Sequence, residues 1–325
     1  MQLDFIKMHG LGNDFIVVCT LEAGGHGVAG STAGDTSPDK PEDIWDHGSL
    51  RNLETMATES LEAFSRGVCD RHFGVGADGL VLILPSTKAD FRMRIFNSDG
   101  SEARMCGNAI RCVAKYVYER GIFTKSSLKV ETLGGIVEPT VVTDGENRVS
   151  GVTVDMGQPV FATKDIPCEV GCDEAIMLKR TFGQASNPIE FTITCVSMGN
   201  PHCVIFVDDV DKVDLESVGP LIENDSIFPQ RVNVEFAHVE GPESIRMRVW
   251  ERGAGATLAC GTGACATLAA AARVGLSGRY AKLHLPGGVL DIRWAQDNHI
   301  YMTGPAEEVF AGRLSPDWLE ARLPG

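Results

Sequence analysis

The chain has 325 residues, 43% apolar and 22% charged, with a formal net charge of −15. Its length exceeds the usual single-domain size of roughly 100–200 residues, so two domains are expected, each able to bury its own core. The acidic surplus, with no basic stripe, argues against a nucleic-acid partner, and no apolar run approaches the roughly 20 residues of a membrane span.

The N-terminal MQLDFIKMHG carries an acid at Asp4 and enters a strand-like pattern at once. It lacks the basic start, apolar centre and small-residue cleavage site of a secretory signal, which reads as a cytoplasmic protein. The ten cysteines are then expected to be reduced thiols rather than a disulfide framework. Cys168 and Cys172 form the only metal-like pair, and no second cluster completes four ligands, so no metal is expected.

Gly12-Asn13 precedes a second strand, FIVV. The following segment, near 22–65, opens with GGHGVAGSTAGDTSPDKPED and continues through a predicted short helix near Leu50 to Phe64. Its glycines, prolines and acids read as a surface insertion without a catalytic part, with a lid as the alternative.

Residues 91–121, FRMRIFNSDGSEARMCGNAIRCVAKYVYERG, read as an alternating strand, a polar loop, Cys106-Gly107 and an apolar helix closed by Gly121. Residues 245–275, IRMRVWERGAGATLACGTGACATLAAAARVG, repeat that grammar without a gap at an offset of 154, aligning Cys106 with Cys260, Phe96 with Trp250 and Gly121 with Gly275. Gly12-Asn13 is echoed by Gly199-Asn200 at an offset of 187, so the first half carries 33 extra residues, accounted for by the insertion. The chain is two diverged copies of one unit.

Duplicated units that face one another bring equivalent residues to one point from opposite sides, which is what inversion at a C–H centre needs. One group removes the proton and the other returns one to the opposite face. Cys106 and Cys260 each stand at a helix start, where unpaired N–H groups and the positive dipole end favour thiolate. The N–H groups of Gly107, Asn108, Gly261 and Thr262 can hold a carboxylate and the charge that develops beside it. A lone cysteine at a helix start is more often buried filler; a matched pair at one register of a duplication reverses that reading. Cys19, Cys112, Cys195, Cys203 and Cys265 lie in apolar strands or helices and read as filler.

Asn13, Asn97, Asn200 and Asn233 are turn formers by default, and the duplicate register favours a functional reading for Asn13 and Asn200. His202 reads equally as a satisfied histidine or a group tuning a nearby thiol. Glu251 and Arg252 replace Asn97 and Ser98 in the second copy, an asymmetry suited to recognising one end of a substrate, with a surface ion pair as the alternative.

The segments HGLGNDFIVV, CDRHFGVGADGLVLI, FNSDGSEARMCGNAIRC, SMGNPHCVIFV, RVNVEF, ERGAGATLACGTGACA and TGPAEEVFAG resemble the diaminopimelate epimerase family over nearly the whole chain outside the insertion. The resemblance implies interconversion of LL- and meso-2,6-diaminoheptanedioate, in lysine and peptidoglycan precursor synthesis, without pyridoxal phosphate, metal or other cofactor. It implies Cys106 and Cys260 as the acid/base pair, and Gly107, Asn108, Gly261 and Thr262 as the clamp on the reacting carboxylate. Asn13, Asn97, Asn200, Asn233, Glu251 and Arg252 would hold the rest of the substrate, Arg252 taking the distal carboxylate, while His202 and Glu251 tune the thiols. The family departs from this chain at Gly79, where many members carry Gln.

The fold so implied is α/β of the α+β kind: two pseudo-symmetric halves, each a curved, mostly antiparallel sheet or barrel around a central helix, with substrate between them. Residues 1–150, with a C-terminal strand from 306–325, would form the first half, and 151–305 the second. Relatives suggest a homodimer. The alternatives are a proline or hydroxyproline racemase of the same fold, whose first motif typically has His where this chain has Asn108, and a non-catalytic amino-acid-binding protein, which the intact cysteine pair disfavours.

Overall fold

The computed structural model describes residues 3–21, 53–184 and 188–322. They divide into two compact units, one comprising 1–10, 14–152 and 306–325, the other 11–13 and 153–305.

In the first unit, β1 (Leu3–Gly10) and β2 (Asn13–Cys19) are followed by α1 (Thr58–Cys69), β3 (Gly79–Leu84), β4 (Phe91–Asn97) and the short β5 (Glu102–Ala103). Helix α2 (Gly107–Glu119) comes next, then β6 (Val130–Thr132), β7 (Gly135–Val137) and β8 (Thr140–Thr143), and β9 (Val149–Asp155) spans the unit boundary. β3, GLVLIL, is buried throughout, as befits an apolar run inside a sheet, whereas β4, FRMRIFN, alternates between buried and half-buried positions up to Phe96. β2 and β3 are parallel, β3 and β4 antiparallel, and β4 and β6 parallel.

The second unit repeats this wiring. β10 (Leu178–Phe182), β11 (Ile189–Ser197) and β12 (Pro201–Phe206) precede α3 (Leu215–Glu223), β13 (Asn233–Gly241), β14 (Ser244–Glu251) and β15 (Gly255–Thr257). Helix α4 (Gly261–Arg273) leads to β16 (Tyr280–Leu285), β17 (Gly288–Trp294) and β18 (Ile300–Gly304). β12 and β13 are parallel, β13 and β14 antiparallel, and β14 and β16 parallel. The sheets are thus mixed, with parallel pairs at matched places. α4 packs against β11, β12, β13, β16, β17 and β18, and its run of alanines lets those strands close around it. Gly121 and Gly275 follow α2 and α4 at φ 66° and 77°, the left-handed conformation that ends a helix at least cost for glycine.

β19 (Glu307–Leu314) and α5 (Pro316–Glu320) return to the first unit, with Leu3 opposite Leu314 in the β1–β19 pair. Of the segment read as a surface insertion, residues 22–52 lie outside the described residues. Its remainder corrects that reading: Leu53, Leu61 and Phe64 are fully buried with Leu3, Val18 and Leu82 in the core. The helix falls at Thr58–Cys69, later than expected, because Leu61, Phe64, Ser65 and Val68 recur at helical spacing and form one buried stripe.

Candidate active site

Of the predicted residues, Asn97, Cys106, Gly107 and Asn108 belong to the first unit; Asn13, Asn200, His202, Asn233, Glu251, Arg252, Cys260, Gly261 and Thr262 belong to the second. The Asn13 loop joins the second unit because Leu11 and Gly12 adopt φ of 59° and 86°, turning the chain against Leu258 and Gly287.

Both cysteines occupy the cap position of their helices in extended backbone, Cys106 before α2 and Cys260 before α4. Neither helix has an acid in its first turn, so nothing competes there for the positive end of the dipole. Ile110 N–H and Ala264 N–H bond to the carbonyls of Cys106 and Cys260, so the backbone ladder of each helix begins at its cysteine. Cys106 is half-buried and Cys172 exposed, whereas every other cysteine is buried. Burial pushes the Cys19 and Cys112 thiols up to about 12, in keeping with inert filler. Cys168 lies 3.7 Å from Cys195, sulfur to sulfur, and Cys172 donates to the Glu174 carbonyl, so the two do not converge on one point.

Cys260 is the more fully defined of the pair. Gly263 N–H reaches its Sγ at 3.4 Å and the Thr262 hydroxyl lies at 3.5 Å. Burial, followed by the nearby carboxylates of Glu251 and Glu235, holds its thiol well above the ordinary range, against the lowering effect of those two contacts. Glu251 is itself displaced upward, chiefly by burial, against the lowering effect of the Thr257 hydroxyl that donates to it and of the neighbouring Cys260 thiol. A thiol beside a largely buried carboxylate has a proton acceptor of raised basicity close at hand.

His202 is fully buried and paired through Nδ1 with Glu235 at 2.6 Å. Its Nε2 lies 2.9 Å from Asn200 Oδ1, and Asn200 Nδ2 donates to Thr262 Oγ1 at 3.3 Å. Sequence reasoning missed Glu235. Its signal was an acid inside the otherwise apolar stretch VEFA, residues 234–237.

Asn233 is committed to the backbone: Nδ2 donates to the Pro201 carbonyl and Oδ1 accepts from Arg252 N–H, both at 2.9 Å. It thereby sets the position of Arg252, which donates to the Gln230 carbonyl and has no ion-pair partner among the described residues. Asn97 donates to the Ser101 hydroxyl at 2.9 Å in a tight turn after β4. Gly79, at the first-unit place equivalent to Asn233 by the offset of 154, faces the Phe96 carbonyl so closely that an added Cβ would lie 2.8 Å from it. Arg111, one turn into α2, is fully buried, donates to the Gly107 carbonyl and lies against Gly10, and was not singled out from sequence.

The architecture is that of a solved structure from Bacillus anthracis, a phenazine biosynthesis protein of the PhzF family, with a TM-score of 0.63 over 97% of this chain and 99% of that one. At 15% identity this shows the fold alone. The family model for diaminopimelate epimerase matches residues 50–162 and 194–309. The diaminopimelate epimerase of Heliobacterium modesticaldum is 46% identical over 96% of this chain and 99% of its own length; that of Pelotomaculum thermopropionicum is 48% identical over 95% and 98%. The chain belongs to the diaminopimelate epimerase family.

Proposed function

We propose that this protein is a diaminopimelate epimerase, an isomerase that interconverts LL- and meso-2,6-diaminoheptanedioate by two-base proton transfer in lysine and peptidoglycan precursor synthesis. Family membership supports the substrate, and the setting of Cys260 carries the chemistry: a thiol at a helix start, between hydrogen-bond donors and a carboxylate able to take its proton. Cys106 acts as the partner base. A thiolate removes the α-proton, the other thiol delivers one to the opposite face, and the reverse reaction exchanges the roles.

The reacting carboxylate is held by the N–H groups of Gly107, Asn108, Gly261 and Thr262, where the helix dipoles also favour the charge left as the proton departs. Arg252 takes the distal carboxylate, with Asn13, Asn97 and Asn200 completing the contacts, and Asn233 contributes by fixing Arg252. His202 and Glu251 tune the thiols. No cofactor enters the proposed reaction.

Among the described residues no helix is long and apolar enough to cross a membrane. We place the enzyme in the cytoplasm, where both thiols stay reduced, as a homodimer. The sheet-edge strand β19, which leaves Val309 and Phe310 exposed, supports association. Incubated with the LL isomer under reducing conditions, the protein should yield the meso isomer; a folded, reduced enzyme that leaves both isomers unchanged would contradict the reading.

A further inference from the structure

Glu223 is the last residue of α3 and is buried, a place where an acid is unfavourable on both counts. A helix presents the negative end of its dipole there, and α3 has no basic residue in its last turn to offset it. Three donors from outside the helix compensate. Trp250 Nε1–H reaches Oε2 at 2.7 Å, Gly253 N–H reaches Oε1 at 2.9 Å and Arg231 Nη1 reaches Oε1 at 3.2 Å. Each of these groups can only donate, so the polarity of all three bonds is fixed.

Trp250 and Gly253 bracket Glu251 and Arg252. Glu251 stands opposite Gly255 in the β14–β15 pair, so residues 252–254 are the turn of a tight hairpin. Two successive amides of that turn are held from separate elements: Arg252 N–H by Asn233 Oδ1 on β13, and Gly253 N–H by Glu223 on α3. Arg231 lies in the segment before β13. It adopts φ 58°, a left-handed conformation uncommon outside glycine, and its neighbour Gln230 offers the carbonyl to which Arg252 Nη1 donates at 2.9 Å. Glu223 thus ties down both segments that frame the Arg252 side chain.

We propose that Glu223 is a positioning residue that presets Arg252 to receive the distal carboxylate, and so contributes to the choice of a dicarboxylate substrate. The proposal rests on the reading of Arg252 as the ligand of that carboxylate. A guanidinium held in place before substrate arrives loses less freedom on binding, which appears as affinity. Without Glu223 the turn keeps only its Asn233 anchor, and Arg252 must be ordered at the expense of substrate binding.

The first measurement is amide hydrogen exchange on substrate-free protein. Gly253 is an exposed turn residue, yet its amide should be protected in the parent and exchange at least about tenfold faster in Glu223→Met, which keeps the length of the side chain without an acceptor oxygen. Equal exchange in the two would overturn the proposal. The second is a double-mutant cycle on kcat/KM for diaminopimelate. Glu223→Met should lower it about tenfold, through KM with kcat nearly unchanged, as expected for lost ground-state binding. Added to Arg252→Ala it should lower it no further, because the two changes remove one interaction. A residue that merely stabilised the fold would act alike in both backgrounds, so losses that multiply, a loss confined to kcat, or no loss would overturn the proposal. Should Glu223→Met not fold, Arg231→Met, which withdraws the most exposed of the three donors, runs through the same cycle with a smaller loss expected and the same outcomes deciding. Because exchange is read without substrate, its failure is distinguishable from a failure of the parent protein to epimerise.

Discussion

Cys260 is held between opposing influences: burial and two carboxylates raise its thiol, while Gly263 N–H and the Thr262 hydroxyl lower it. A resting thiol follows, ready to be the proton donor. Cys106→Ala and Cys260→Ala should each abolish inversion, because neither face can substitute for the other; measurable turnover by either purified variant would remove that cysteine from the reaction. Glu251 must be ionised to accept the Cys260 proton, and burial displaces its titration upward. Activity should therefore fall with decreasing pH at values above the ordinary glutamate range of about 4.3, a limb missing from the pH–rate profile if Glu251 plays no part. The linkage has the opposite sign for stability. A carboxyl group raised in the folded state contributes stability below its unfolded value and loses it as pH rises through the folded one. At neutral pH Glu251→Gln should thus raise Tm, by about 2–4 °C for a gain of about 1 kcal/mol in units of this size, while activity collapses. A lower Tm would show that the carboxylate is better accommodated than its burial implies.

At the scale of elements, the strand-loop-cysteine-helix unit was legible because it is written twice: α2 and α4 start 154 residues apart and each is followed by a left-handed glycine. What was not legible depends on pairings distant in the chain. Glu235 meets His202 only because β13 lies parallel to β12, with His202 opposite Asn233, and no local pattern announces that register. The Asn13 loop likewise joins the second unit through contacts with Leu258 and Gly287, far along the chain. The helical spacing of Leu61, Phe64 and Val68 was present in the sequence but was overshadowed by the Gly- and Pro-rich stretch before it. Phe64 is fully buried in the first-unit core, so Phe64→Ala should cost about 3–5 kcal/mol; denaturant unfolding with a loss below about 1 kcal/mol would return that helix to the surface. Gly79→Gln should destabilise the β3–β4 pair, since its Cβ would press on the Phe96 carbonyl. Folding as stable as the parent would mean that the strand shifts freely to admit the side chain.

At the scale of the whole molecule, the chain ends by returning to where it began. β19 pairs with β1, and Leu314 and Leu319 complete the first-unit core. A chain ending at Pro305 should leave β1 as a bare edge and lose the first unit's cooperative unfolding transition; calorimetry showing that transition intact would contradict this placement. The central claim concerns the reaction itself, and solvent isotope uptake tests it most directly. In D2O, with thiols reduced, LL-diaminopimelate converted by the enzyme should carry deuterium at the inverted α-carbon of the meso product, because the returned proton comes from a cysteine in exchange with solvent. Inversion without deuterium, or no inversion by folded and reduced protein, would contradict a two-cysteine epimerase.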